Sequence, residues 1–189
     1  MAQKLLDKVE VSKEGESTIT NFKSYLNFGE EVGQLANMLL GLNSRSSVFL
    51  VGNGGSAGIA SIVANRLWKF CGIKGHTFND SVIMSCAGND YGWDRVFSKP
   101  LERYGKTGDV LIAISSSGSS KNILNAVCTA RASFSRIVTL TGFSPLNGLR
   151  EMGNTNFYVP SNSYRHVERT HLFILDCILD SLVEKRGGK

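Results

Sequence analysis

The chain has 189 residues, 42% hydrophobic and 20% charged, with a formal net charge of +5. That composition excludes a disordered chain and suits a single domain with a real core. No run reaches the length of a membrane span, and Lys185-Arg186 is the only adjacent basic pair, which argues against a nucleic-acid stripe.

The first segment, MAQKLLDKVEVSKEGES, has no long apolar run, so no signal peptide is expected. From Ile19 to Leu42, apolar residues recur near helical spacing, predicting a helix within an N-terminal segment 1–45. Val48 to Val51 is a short apolar run ended by glycines and reads as a buried parallel strand. A shorter run around His76 to Phe78 suggests another. Pro100, inside Trp93 to Tyr104, kinks or starts a helix. Val110 to Ile114 is a second buried strand, followed by a helix from Lys121 to Ser133. Ile137 to Leu140 and Phe157 to Val159 are further strands. A long amphipathic helix from Tyr164 to Lys185 closes the pattern, and Gly187-Gly188-Lys189 is expected to fray. Strands alternating with helices predict an α/β fold whose parallel sheet is covered on both faces and binds ligands beyond the carboxyl ends of its strands. Cys71, Cys86, Cys128 and Cys177 form no CxxC pair, which points to reduced thiols in a cytoplasmic protein and away from a cysteine zinc site.

Two polar turns sit at strand-to-helix junctions. Gly52-Asn53-Gly54-Gly55-Ser56 lets the backbone turn tightly and approach an anion at a helix start. Ser56 is expected to cap that helix or donate its hydroxyl. A dinucleotide fingerprint would need Gly at position 57, where Ala57 stands, and no Gly-Lys-Ser/Thr follows. The second turn, Ser115-Ser116-Ser117-Gly118-Ser119-Ser120, gathers five hydroxyls and a glycine at another helix start, a donor array suited to a phosphate monoester. A plain tight turn and a solvated serine loop are the alternatives.

These segments, VGNGGSA, CAGNDYGWDRVFSKPLERYGKTGDVLIAISSSGSSKNILNAV and IVTLTGF, resemble the SIS (sugar isomerase) superfamily and, within it, the phosphoheptose isomerase group. The resemblance spans Val48 to Val183. It implies a three-layer SIS fold with a five-stranded parallel sheet flanked by helices, a sugar-phosphate-binding core over 46–186, and a homotetramer with active sites at subunit interfaces. It implies that Ser56, Ser115, Ser116, Ser117 and Ser120 hold the phosphate, and that Asn53, Gly54 and Asp90 contact the sugar.

Isomerisation through an enediol needs a base and a group to manage the hydroxyl proton. The resemblance places a Glu base, two His and a Gln around a zinc ion at positions occupied here by Arg66, Ile62, Asp176 and Glu168. Ile62 cannot ligate a metal and Arg66 would repel one, so no zinc is expected. Glu168 and Asp176 are eight residues apart, on one face of their helix, and the resemblance implies that Arg66 faces both carboxylates. Either an ion pair replaces the metal cluster, or the three form a rebuilt acid–base set with Glu168 or Asp176 as base and Arg66 polarising the carbonyl. His171 is a candidate imidazole or a helix-packing residue. His166 lies at the start of the last helix, His76 at a strand edge, and Tyr91 and Trp93 are expected to pack the NDYGWD loop. Two functions follow: an aldose–ketose isomerase acting on a sugar phosphate such as sedoheptulose 7-phosphate, or a catalytically silent sensor or adaptor. The latter resembles the superfamily member that associates with a replication initiator.

Overall fold

The computed structural model describes residues 10–13, 25–134 and 136–187. Strand β1 (Glu10–Lys13) precedes α1 (Tyr25–Leu40), β2 (Val48–Gly52), α2 (Gly55–Cys71), β3 (Gly75–His76), α3 (Ser81–Tyr91) and α4 (Ser98–Tyr104). Then come β4 (Val110–Ser115), α5 (Lys121–Ala130), β5 (Arg136–Gly142), β6 (Thr155–Val159) and α6 (Tyr164–Lys185). The sheet order is β1-β6-β5-β4-β2-β3. Strands β2 to β6 make the expected five-stranded parallel sheet. Strand β1, which the sequence pattern did not announce, adds an antiparallel edge with Glu10 opposite Tyr158.

Side chains alternate across the strands, so β2, β4 and β5 each feed two cores. Val48, Leu50, Ile112 and Leu140 point to one face, where Leu35 of α1, Val63 and Leu67 of α2, and Ile174 and Ile178 of α6 cover them. Phe49, Val51, Leu111 and Ala113 point to the other and meet Leu101 of α4 and Ile123 and Val127 of α5. Burial on both faces is why β2 and β4 read as continuous apolar runs. Each fully buried leucine, such as Leu50 at 0% exposure, contributes about 1.5–3 kcal/mol.

Several boundaries differ from the sequence expectations. Helix α1 begins at Tyr25, and residues 19–24 of the expected helix lie outside the described residues, as do Gly188 and Lys189. Helix α5 stops at Ala130 because the chain turns back, with the Phe134 N–H donating to Ala130 O at 2.8 Å. Strand β3 has only two residues, with Phe78 turned into the core instead of the ladder. Asn89, Asp90 and Tyr91 belong to the last turn of helix α3, not to a loop. Only Ala87 of α3 is buried, so its apolar periodicity is faint, but Asp80 caps it by accepting from Val82 N and Ile83 N at 2.9 and 3.2 Å. Pro100 falls in the first turn of α4, where its missing N–H costs nothing.

Candidate functional site

From β2 the chain moves one way to β3, then returns to β4 on the other side and continues to β5 and β6. The junction between β2 and β4 is therefore the topological switch point, where parallel α/β sheets open a crevice beyond their carboxyl ends. Gly52 pairs with Ile114 across that junction. The GNGGS and SSSGSS turns thus leave adjacent strands side by side.

In the first turn, Gly54 is the N-cap of α2 with φ 52°, a left-handed value that favours glycine. A Cβ at Gly52 would lie 2.7 Å from the Ser56 backbone, so the strand passes directly beneath the helix start. No side chain caps α2. Ser56 is the second residue of the helix, not its cap as expected, and is buried at 4% exposure. In the second turn, Gly118 has φ 62°, and a Cβ there would overlap the Asn147 side chain. Asn147 braces the turn from the β5–β6 connection, donating to Ser144 O at 2.8 Å and accepting from Arg150 N at 3.0 Å. The Ser115 hydroxyl accepts from Gly118 N at 3.1 Å and lies 3.5 Å from Ser120 Oγ. Ser117 Oγ accepts from Ser119 N and Ser119 Oγ at 3.3 and 3.2 Å. Ser116 Oγ is buried without a hydrogen-bond partner among the described residues. Ser120 is the N-cap of α5, again without a side-chain cap bond. Both helices that start at these turns therefore leave their first N–H groups uncapped by side chains, unlike α3.

A reciprocal amide pair joins the turns. Asn53 Nδ2 donates to Asn122 Oδ1 and Asn122 Nδ2 donates to Asn53 Oδ1, each at 2.9 Å. Asn53, expected to contact sugar, thus spends its carbonyl and one N–H on fixing the crevice. Asn122, buried at 3% exposure, went unremarked in the sequence because it sits two residues past the serine run. An open cavity of about 600 Å³ lies over the first turn, lined by Asn53, Gly54, Asn79, Met84 and Trp93 among others. Asn79 donates to Ala57 O and Ser61 Oγ, tying the β3–α3 connection to α2. Trp93 and Tyr91, expected to pack a loop, are 56% and 52% exposed, and Trp93 walls this cavity. Asp90 is exposed, and its carboxylate accepts from Asn89 Nδ2 at 2.9 Å and Cys86 Sγ at 3.6 Å. That bond and the Asp90 charge push the Cys86 thiol up.

Helices α2 and α6 pack side by side and bring the remaining candidates together. Arg66 Nη1 donates to Asp176 Oδ1 in a half-buried ion pair. Glu168 lies elsewhere: a Cβ at Gly55 would sit 2.5 Å from its carboxylate carbon and from Oε1. Arg66 was expected to face two carboxylates; the structure gives it Asp176 and rests Glu168 on the first turn of α2. His171 is wholly buried, its Nε2–H donating to Thr141 O at 3.0 Å. Burial drives its pKa down to about 4, against the opposing effect of that hydrogen bond, so the imidazole is neutral. These surroundings match the helix-packing alternative. His166 is half-buried in the first turn of α6, and His76 lies beside Phe49 at the sheet edge with the rings tilted by 31°. The zinc set implied by the resemblance does not fit these residues. Ile62 supplies no ligand atom, Arg66 brings a positive charge, and the Asp176 carboxylate is engaged by it. Among the described residues, no group of three His, Cys, Asp or Glu side chains is placed to hold a metal ion.

Two helix starts without side-chain caps meet at the switch-point crevice of a parallel α/β sheet, a geometry suited to an anion. The chain belongs to the SIS domain family, which matches residues 30–142. It is 33% identical to the phosphoheptose isomerase of Sulfurimonas denitrificans over 191 aligned positions, covering 98% of this chain and 96% of that one. The solved phosphoheptose isomerase GmhA of Neisseria gonorrhoeae superposes with a TM-score of 0.74 at 29% identity, over 81% of this chain and 86% of that one. That of Francisella tularensis gives 0.71 at 27%, over 82% and 86%. The protein is thus a SIS protein close to the phosphoheptose isomerases.

Proposed function

We propose that this protein binds a sugar phosphate with the phosphate on the two serine turns, and interconverts its aldose and ketose forms with Glu168 as the base. The observation that carries this reading is the Glu168 carboxylate resting on Gly55, where α2 starts beside the phosphate turns. Ser56, Ser115, Ser116, Ser117 and Ser120 supply the donors, and Asn53 with Asn122 sets the spacing of the turns. Glu168 removes a proton from the carbon next to the carbonyl. The C–H electron pair becomes the C=C bond of an enediol, and the carbonyl oxygen takes up a proton from water. Protonated Glu168 then returns its proton to the former carbonyl carbon, as the other hydroxyl closes to a carbonyl and releases its proton to water. The similarity to phosphoheptose isomerases makes sedoheptulose 7-phosphate the first substrate to try. Exposed Ile62, Trp68 and Phe70 on α2 and Phe173 on α6 support self-association into the homotetramer that the family resemblance implies.

The test is incubation with sedoheptulose 7-phosphate in D₂O, following deuterium beside the carbonyl by NMR, with and without added zinc. Incorporation at equal rates in both, abolished in Glu168→Gln while binding persists, is expected. The closed Arg66–Asp176 pair favours a second reading, a sugar-phosphate sensor or adaptor, because an ion pair stands where the family keeps its chemistry. Saturable binding lost in Ser117→Ala, with no incorporation in the unmodified protein, would establish that reading and overturn the first.

A further inference from the structure

A second cavity, of about 470 Å³, opens at the opposite end of the sheet, at the amino ends of β2 and β3. Phe49 and Phe78 floor it, stacked with centroids 5.6 Å apart and both buried. His76 lies against Phe49 at 5.4 Å with its ring tilted by 31°, and Tyr104 lies against Phe78 at 5.8 Å with its ring tilted by 47°. Tyr104 is 60% exposed, so its ring presents a face to whatever enters. The rim carries Arg45, Lys74 and Lys106, and among the described residues no carboxylate lines the cavity.

The walls are held in place. Asp109, 2% exposed, accepts from Ser47 N at 2.8 Å and from Lys106 N at 2.7 Å. One buried carboxylate thereby ties the loop before β2 to the loop before β4. Asn43 Oδ1 accepts from Arg45 N and Ser46 N at 2.8 and 3.1 Å, fixing the turn that carries Arg45. Lys74 Nζ donates to Ser44 O at 2.8 Å and joins the β3 approach to that turn. Three cations on one rim, together with exposed aromatic rings, match a ligand with a planar ring at one end and negative charge at the other.

We propose that this cavity is a binding site for a nucleoside phosphate, with the base against Tyr104 and His76 and the phosphates on Arg45 and Lys106. It is separate from the serine turns, which lie at the carboxyl ends of the same strands, and does not depend on the function proposed for them. The experiment is calorimetric titration of the full-length protein with ADP, set beside adenosine, inorganic pyrophosphate and three variants. Saturable ADP binding is expected, tighter than that of adenosine or pyrophosphate. It should weaken by about tenfold or more in Arg45→Glu and in Lys106→Glu, and stay unchanged in Ser117→Ala. Both charge reversals are at exposed positions, and circular dichroism checks that they fold. The proposal is overturned by absence of saturable ADP binding, by pyrophosphate binding as tightly as ADP, or by binding that Ser117→Ala removes and the charge reversals do not.

Discussion

Replacing Gly55 by alanine separates the position of Glu168 from its chemistry. A Cβ at this site would stand 2.5 Å from the Glu168 carboxylate carbon and Oε1, where ordinary contact begins near 3.4 Å. The carboxylate must therefore retreat by about 0.9 Å, which the flexible end of a glutamate can do without disturbing the backbone. Gly55 is the first residue of α2 and is not among the glycines with positive φ, so alanine suits the helix and adds up to about 0.5–1 kcal/mol of stability. A displacement near 1 Å of a reacting group costs about a hundredfold in rate. Gly55→Ala is thus expected to melt no lower than the unmodified protein and to bind the sugar phosphate through its serine turns. It should exchange deuterium beside the carbonyl about a hundredfold more slowly. A variant that exchanges at the unmodified rate would refute the placement of Glu168 as the base. A slow variant that has also lost stability would refute the claim that only the carboxylate moves.

The Arg66 and Asp176 side chains are 37% and 34% exposed, so their coupling in a double-mutant cycle by urea denaturation is expected to stay below about 1 kcal/mol; a value of several kcal/mol would make the pair a buried network. Asn122→Ala breaks both bonds to Asn53 and should cost about 1–3 kcal/mol and weaken sugar-phosphate binding. Adding Asn53→Ala should cost little more, and full additivity would show that the two amides do not act as a pair. Burial lowers the His171 pKa to about 4 in the folded state from the ordinary 6.5, so unfolding takes up a proton between these values. Its contribution, up to about 3 kcal/mol, is complete above pH 6.5 and lost as pH falls towards 4. In His171→Gln the slope of urea midpoint against pH over that window should flatten, and parallel profiles would assign the acid sensitivity to other groups.

The core strands were legible because burial on both faces leaves β2 and β4 as unbroken apolar runs, and each is punctuated by a turn whose residues have backbone reasons to be there. Gly54 and Gly118 take left-handed conformations at those turns, and Gly52 lets the strand pass under Ser56. Helix α3 was hidden because only Ala87 turns inward; its remaining signal was Asp80 at the cap. Strand β1 pairs at the sheet edge with a strand far along the chain, and four residues carry no period strong enough to announce that. In the site, the Arg66–Asp176 contact was expected from the family resemblance, which sets these positions of α2 and α6 face to face. The separation of Glu168 from that pair did not follow. Residues eight apart on a helix are two turns apart along its axis, about 12 Å, so sharing a face does not mean sharing a partner. Asp176 reaches the middle of α2, whereas Glu168, nearer the start of α6, reaches the first turn of α2 at Gly55. That axial offset leaves a carboxylate beside the first turn of α2 that is not the one joined to Arg66.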